Sequence, residues 1–180
     1  MKDELSLVDY SVEKHSYVFK SGIYGYERYK KAMLNYDMEL SFGSLTGDKA
    51  HIGNIPLSIG NEGQFFKFNL NNSFMYLIDN KFDIVSRISW QQAGSSLDSS
   101  EKMFLGGPNG VRAYPQGESS GDNGIFATSE LRYHTPIKNM ILSAYFDIGH
   151  VSSYNTNISP SDTLKGYGVA ISWDNSKDLI

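Results

Sequence analysis

Residues 34–42 read Leu-Asn-Tyr-Asp-Met-Glu-Leu-Ser-Phe, so that every second residue is apolar and those between are polar. Successive side chains of a β-strand point to opposite faces, and this stretch therefore predicts a strand with one apolar and one polar face. Six further stretches alternate in the same way. The predicted strands are residues 15–24, 33–44, 64–78, 82–92, 124–133, 140–150 and 163–173. Because no stretch has the period of a long amphipathic helix, the predicted fold class is all-β.

Composition narrows the classes of protein that this chain can represent. The 180 residues include 16 basic and 20 acidic residues, a net charge of −4, and no cysteine. A negative net charge gives no basic surface on which nucleic acid could bind. The absence of cysteine excludes a disulfide scaffold and a thiolate metal site. An aromatic content of 13% is too high for a disordered tail. A β-rich domain, a β-barrel membrane protein or a fragment of one remains.

Two architectures share this alternation, a soluble β-sandwich and a transmembrane barrel. The apolar face points to the core in the first and to lipid in the second. The predicted strands are about twice as long as typical soluble strands, and their length suits a tilted membrane crossing. Aromatic residues near strand ends are expected to form the interfacial girdles of a barrel. These residues are Tyr24, Phe42, Tyr76, Trp90, Tyr133 and Trp173.

The lengths of the predicted connections favour the barrel. Short and long connections alternate strictly along the chain, as they do between the periplasmic turns and external loops of outer-membrane barrels. The short ones are residues 25–32, 79–81 and 134–139, and the long ones are 45–63, 93–123 and 151–162. Since a soluble sandwich has no reason for this regularity, we predict an antiparallel transmembrane β-barrel and keep a soluble β-sandwich binding module as a remote alternative.

The connection 93–123 has an apolar centre, with Met103, Phe104, Leu105 and Val111, which is unusual for a solvated loop. We expect it to pack against the protein. The cluster Gly-Gly-Pro-Asn-Gly at 106–110 allows tight turns and close backbone approach. If the loop folds back into its own barrel, the guanidinium of Arg112 becomes buried and requires an acidic partner.

The stretch Phe-Leu-Gly-Gly-Pro-Asn-Gly-Val-Arg-Ala-Tyr-Pro at 104–115 resembles the lumen-folded loop of two-partner-secretion transporters, the haemolysin secretion/activation family. Leu-Asp-Ser-Ser-Glu at 97–101, Gly-Asp-Asn-Gly at 121–124, Glu-Leu-Arg at 130–132 and Phe-Asp-Ile-Gly at 146–149 match the same family in order. These transporters belong to the superfamily of POTRA-bearing outer-membrane barrels that includes the BamA assembly factor.

The resemblance implies a barrel of about 16 strands that exports, and in some cases activates, a large exoprotein of the filamentous haemagglutinin or haemolysin type across the bacterial outer membrane. It implies contact with outer-membrane lipid and no nucleotide, nucleic acid, cofactor or metal. An assembly factor of the BamA type, which inserts other barrels into the membrane, is the alternative. The motif at 97–101 and the Val-Arg-Ala-Tyr-Pro variant at 111–115 favour secretion.

The resemblance also assigns the candidate site. The family's loop arginine falls on Arg112, and the acid that holds it on the barrel wall falls on Asp147. The alternation of 140–150 agrees, because Phe146 on the lipid side leaves Asp147 facing the lumen. Ala113 departs from a pattern that often has glycine there. The expected loop motif and its latch comprise Gly106, Gly107, Val111, Arg112, Ala113, Tyr114 and Asp147, with Glu130 and Arg132 as secondary residues facing the lumen.

The expected domain organisation is one partial barrel domain over residues 1–180, with about seven or eight strands and the lumen-folded loop 93–123. Compared with the family, we expect the POTRA domains, the first half of the barrel and the last two strands to be absent. The chain is therefore interpreted as a carboxy-terminal fragment of a barrel. Open sheet edges leave backbone groups unpaired in lipid, so we expect no transport by the chain alone.

An enzymatic function has little support in the sequence. Gly-Glu-Ser-Ser-Gly at 117–121 fits the nucleophile-elbow pattern but lacks the buried strand and the helix that this motif needs. The four histidines, His15, His51, His134 and His150, are isolated from one another and are interpreted as turn or strand-end residues. The acidic residues of the long loop lack the spacing of a calcium site and are predicted to be solvated. They are Asp98, Glu101, Glu118 and Asp122.

Overall fold

The computed structural model of the chain describes residues 14–47, 50–52, 55–57, 63–154 and 161–174. Seven long strands form one antiparallel sheet. They are β1 (Lys14–Arg28), β2 (Ala32–Gly47), β5 (Gly63–Leu77), β6 (Phe82–Ala93), β9 (Asn123–His134), β10 (Met140–Ser152) and β11 (Ser161–Trp173). Two short hairpins lie in the connections, β3 (Ala50–Ile52) with β4 (Ile55–Leu57), and β7 (Met103–Phe104) with β8 (Ser120–Gly121).

The long strands are ordered β1-β2-β5-β6-β9-β10-β11, so each long strand pairs with the next long strand along the chain. All seven predicted strands are confirmed. β1 extends to Arg28, four residues past its predicted end, because its connection to β2 is a tight hairpin in which the Tyr29 N–H donates to the Ala32 carbonyl at 2.8 Å. The described helical structure is a single 3-10 turn at Ser99–Glu101, and no described helix has the length and hydropathy of a membrane span.

The two faces of the sheet differ in what they contact. We call the face that carries Lys67, Thr128 and Asp147 the loop face, because the connection between β6 and β9 packs on it. The opposite, outer face carries large apolar side chains that remain 37–85% exposed. Examples are Phe42, Phe66, Trp90, Leu131, Leu142, Phe146 and Tyr167.

No second sheet covers the outer face among the described residues, as one would in a β-sandwich. An apolar surface of this extent does not remain in water on a soluble monomer. The outer face is therefore the one that faces lipid, as predicted from the alternation.

Tyr24 does not belong to the predicted aromatic girdle. It pairs across the sheet with Asp37, and residues directly opposite one another on paired strands share a face. Tyr24 therefore lies on the loop face with Asp37, whereas Ile23 pairs with Met38 on the outer face. Tyr24 is also not at the end of its strand, since β1 continues to Arg28. The face on which a strand residue lies depends on the parity of its residue number, not on its distance from the strand end.

The short connection between β5 and β6 is closed by Asp79, whose carboxylate accepts the Lys81 N–H at 2.7 Å and the Phe82 N–H at 2.9 Å. Hydrogen bonds from the Lys81 and Phe82 backbone hold the pKa of Asp79 below its usual range.

We expect the contribution of Asp79 to stability to be complete above the ordinary aspartate pKa of about 3.9 and to be lost as the pH falls through its lowered value. Measuring the titration of the Asp79 side-chain carbonyl by carbon NMR checks this prediction. An inflection at or above the ordinary value would contradict it.

Candidate functional site

The connection between β6 and β9, residues 94–122, is a folded hairpin that lies across the loop face. β7 pairs with β8 across the hairpin. Nearer the tip of the hairpin, the Gly107 N–H donates to the Tyr114 carbonyl at 2.9 Å. Gly106 and Gly107 have φ angles of 75° and 90°, which residues other than glycine rarely adopt. A Cβ on Gly106 would also collide with the carbonyl oxygen of Pro115. The two glycines therefore allow the turn that presents Arg112.

Between them, the loop and the sheet form a small apolar core. Leu105 and Val111 are completely buried and pack with residues of the loop face. The partners from the sheet are Phe126, Val151 and Leu164, and Met103 and Tyr114 pack at the edge. The expectation that the apolar centre of the loop packs against the protein holds for Leu105 and Val111. It was wrong for Phe104, which is half exposed because it points away from the sheet at the β7–β8 hairpin.

Two glycines of the sheet make room for this core. A Cβ on Gly149 would lie 2.7 Å from Leu105 Cδ2. A Cβ on Gly166 would lie 2.9 Å from the Cβ of Ala113 and 3.1 Å from Val111 Cγ1. Real side-chain carbons do not approach so closely, and the loop can therefore reach the sheet only because these positions lack side chains. The methyl group of Ala113 fills the space above Gly166. The family's loop pattern often has glycine at the position of Ala113.

Arg112 is bound to Asp147 of β10 by three hydrogen bonds. The backbone N–H and Nε of Arg112 each donate to Asp147 Oδ2 at 3.0 Å, and an Nη donates to Oδ1 at 2.9 Å. This is the bidentate geometry that a guanidinium fork makes with a carboxylate and that lysine cannot copy. Asp147 has no exposed surface. Its negative charge is therefore stable there only while Arg112 stays in place.

Three further side chains of β9 and β10 surround the guanidinium. Arg112 donates to Glu130 Oε2 at 2.8 Å and to Thr128 Oγ1 at 3.1 Å. The Thr128 hydroxyl donates in turn to Asp147 Oδ1 at 2.6 Å. The ring of Tyr145 lies 3.4 Å from the Arg112 Cζ, in a cation–π contact. We call these five residues, Arg112, Thr128, Glu130, Tyr145 and Asp147, the Arg112 site.

The Arg112 site is electrically balanced once Arg132 is included. Arg132 Nε donates to Glu130 Oε1 at 3.1 Å and so neutralises the second carboxylate. The hydrogen bond to Asp147 is the largest of the effects that raise the pKa of Arg112 above its already high ordinary value. Arg112 therefore carries its charge at every working pH. The arrangement provides a strong attachment of the loop to the sheet and presents no activated nucleophile or general base.

The structure thus places each residue that the sequence singled out. Arg112, Asp147 and Glu130 lie together, and Arg132 is linked to them through Glu130. Gly106 and Gly107 shape the turn, Val111 lies in the core, Ala113 covers Gly166, and Tyr114 packs at the edge. Thr128 was not predicted as a partner of Arg112, although it has the same parity as Glu130 on β9 and therefore shares its face.

The prediction that all acidic residues of the loop are solvated was wrong for two of them. Asp122 is fully buried and accepts the backbone N–H groups of Leu97 and Tyr154, each at 2.8 Å. Glu101 forms an ion pair with Lys67 at 2.6 Å. Both carboxylates attach the beginning and end of the loop to the sheet, a role that sequence spacing does not reveal. Asp98 caps the 3-10 turn by accepting the Ser100 N–H.

Replacing Thr128 with valine will weaken the Arg112 site, because Asp147 Oδ1 loses one donor and an Arg112 Nη loses one of its two acceptors. We expect a loss of about 1–3 kcal/mol in the free energy of unfolding, the usual cost of a buried polar group left without its partner. Thermal unfolding of the full-length protein in detergent measures this loss. Thr128→Ser retains the hydroxyl and should behave like wild type; equal losses in both variants would assign the effect to packing instead.

Comparisons with known proteins identify relatives over most of the chain. A family model described as haemolysin secretion/activation protein ShlB/FhaC/HecB matches residues 3–173. The heme/hemopexin transporter protein HuxB of Haemophilus influenzae is 27% identical over 136 residues, covering 72% of this chain and 24% of HuxB. The outer membrane transporter CdiB of Dickeya dadantii is 26% identical over 112 residues, covering 60% of this chain and 20% of that protein.

A solved structure shares the fold. CdiB from Escherichia coli superimposes with a TM-score of 0.55 at 14% sequence identity, covering 90% of this chain and 39% of that chain. The chain spans about a quarter of the length of the curated relative HuxB that it matches.

Proposed function

Because the chain belongs to the haemolysin secretion/activation protein ShlB/FhaC/HecB family, we propose that it forms part of a bacterial outer-membrane transporter that exports a large exoprotein by two-partner secretion. The family is one of haemolysin secretion/activation proteins, and the relative CdiB is an outer membrane transporter. The chain is located in the outer membrane. We further propose that the exported partner is of the filamentous haemagglutinin or haemolysin type, and that the protein has no enzymatic activity.

The observation that carries this proposal is the attachment of a loop to the loop face through Arg112 and Asp147. A loop that occupies the interior of a barrel obstructs the path of an exported chain. A barrel that exports a protein needs such an obstruction to be reversible, since a permanently open pore would leak. Hydrogen bonds and an ion pair provide an attachment that is strong at rest and can be exchanged, unlike a covalent link.

We propose that the seven-stranded sheet forms one side of a closed barrel, with the loop face lining the lumen. β1 and β11 each pair on one side only within the described part of the chain. Their outer edges expose backbone groups that lipid cannot satisfy, so further strands of the complete protein are needed to pair with them. POTRA domains would precede the barrel, and residues 1–180 would be a carboxy-terminal part of it.

The polar residues of the loop face support its assignment to the lumen. Away from the Arg112 site this face carries an ion pair between Lys20 and Glu39 at 3.1 Å and a hydrogen bond from Asn35 to Ser73 at 3.1 Å. Charged and amide side chains are costly against hydrocarbon but ordinary against water. An unfolded exoprotein passing along such a surface would meet groups that hydrogen-bond without binding tightly.

Deleting the gene in its host and analysing secreted and membrane proteins tests the proposed function. We expect one large protein to disappear from the medium, with the other outer-membrane barrels at normal abundance, and the wild-type gene to restore secretion. A general loss of outer-membrane barrels with secretion of that protein intact would instead identify an assembly factor of the BamA type.

A further inference from the structure

The loop is attached to the sheet at a second place, at its base. Lys67 of β5 donates to the carboxylate of Glu101 at 2.6 Å and to the Glu101 carbonyl oxygen at 3.1 Å. The Lys67 side chain is only 7% exposed and that of Glu101 is 19% exposed. A lysine so deeply buried on a sheet is costly unless a carboxylate compensates its charge. The pair therefore depends on the loop base staying in place.

Two other side chains join both ends of the loop at this place. Gln91 Nε2 donates to the carbonyl oxygens of Glu101 and Asp122, each at 3.1 Å. The Asp122 carboxylate accepts the Leu97 N–H at 2.8 Å and lies 3.5 Å from Lys102 Nζ. We call Lys67, Gln91, Glu101 and Asp122 the loop base. It shares no residue with the Arg112 site.

The loop base and the Arg112 site are separated along the strands. Gln91 pairs with Gly124, whereas Thr128 of the Arg112 site pairs with Arg87. A separation of four residues along a strand corresponds to about 13 Å. The chain between the two places passes through Gly106 and Gly107, whose positive φ angles show a backbone that depends on glycine. The returning chain passes through Gly117, which also has a positive φ angle, so each side of the hairpin has a glycine at which the tip can bend.

We infer that the Lys67–Glu101 pair holds the two ends of the loop on the sheet independently of Arg112. When Arg112 is released, the tip of the loop, residues 105–119, therefore moves while the loop base stays attached. The inference rests on the proposed function only in that the tip has to move for export. Lys67 and Glu101 are then positioning residues: they keep the tip within reach of Asp147 and allow it to return after each passage.

Single cysteines test this inference directly, because the chain contains none of its own. Val111→Cys reports on the tip and Leu97→Cys on the base, since both side chains are at most 1% exposed. The rate of labelling by a membrane-impermeant maleimide is measured on the full-length protein in outer membranes. With Arg112→Ala we expect labelling at position 111 to accelerate about tenfold or more and labelling at position 97 to stay unchanged. With Lys67→Met we expect labelling at position 97 to accelerate and labelling at position 111 to stay unchanged.

Two controls keep the test decisive. Glu101→Gln removes the same ion pair from the loop side, and should accelerate labelling at position 97 as Lys67→Met does. Exchanging the charges, Lys67→Glu with Glu101→Lys, restores the ion pair but not the hydrogen bond to the carbonyl oxygen of residue 101, so labelling at position 97 should be slower than with Lys67→Met and faster than in wild type. Equal acceleration at positions 97 and 111 with Arg112→Ala would overturn the inference, because the loop would then move as one body. Since labelling is measured without an exoprotein, a failed export assay would count against the proposed function and leave this result unaffected.

Discussion

Replacing Arg112 with alanine will abolish export while the barrel still assembles in the outer membrane. The substitution removes every side-chain hydrogen bond that Arg112 makes and leaves Asp147 as a fully buried carboxylate without its cation. Removing one partner of a buried pair costs about 3–5 kcal/mol, which corresponds to a change of roughly a hundredfold or more in the equilibrium between the attached and the released loop. Immunoblotting of the secreted exoprotein measures export.

Three comparisons separate attachment of the loop from general misfolding. The abundance of the variant in outer-membrane fractions and its heat-modifiable migration should match wild type. Arg112→Lys retains a positive charge but loses the fork, and we expect it to export poorly. Asp147→Asn, which keeps the size of the side chain and removes the charge, should resemble Arg112→Ala. Wild-type secretion by Arg112→Ala would refute a role for this contact in export.

Replacing Gly166 with valine will weaken the attachment of the loop to the sheet without altering either partner of the ion pair. The new Cβ would lie 2.9 Å from the Ala113 Cβ and 3.1 Å from Val111 Cγ1, and the further methyl groups would worsen the overlap. Val111 is fully buried, so it has little room to move aside. Overpacking of this kind costs about 1–3 kcal/mol, which shifts the equilibrium towards the released tip by roughly five- to 150-fold. We expect a higher and more variable conductance in planar lipid bilayers.

Ala170→Val provides the matched control for Gly166→Val. Residue 170 lies on the same strand and the same face, opposite Ser143, but is exposed. It should leave the conductance unchanged. Gly166→Ala alone should raise the conductance less than Gly166→Val. Adding Ala113→Gly removes the closer of the two contacts, that with the Ala113 methyl group, and should lower the conductance again. Increased conductance in Ala170→Val equal to that in Gly166→Val would show that the effect does not arise from the contact with the loop.

The strands were predictable because their signal is local. Alternation along 33–44 or 163–173 depends only on neighbouring residues, and it identifies both the strand and its lipid-facing side chains. For three of the six neighbouring pairs the pairing follows as well, since a short connection forces the two strands that it joins to lie side by side. The family resemblance assigns Arg112 and Asp147. Alternation within the strands 124–133 and 140–150 predicts that Glu130, Arg132 and Asp147 face the lumen.

The remaining parts of the site depend on contacts between segments far apart in the chain. Thr128 was overlooked because a threonine on a strand face is unremarkable until a carboxylate and a guanidinium lie beside it. Asp122 and Glu101 were predicted to be solvated because acidic residues in a glycine-rich loop usually are. The partner of Glu101, Lys67, lies 34 residues away on a different strand. No local pattern links the two.

The sequence by itself determined the strands, the two chemically different faces and the arginine at the tip of an apolar loop, because each is expressed over a few consecutive residues. Only the tertiary structure decided how the loop is held. Three features exist only when distant strands come together. They are the partners of Arg112 (Thr128, Glu130, Tyr145 and Asp147), the surface without a side chain at Gly166, and the buried pair of Lys67 with Glu101. Their energies come from burial and geometry, which residue order does not specify.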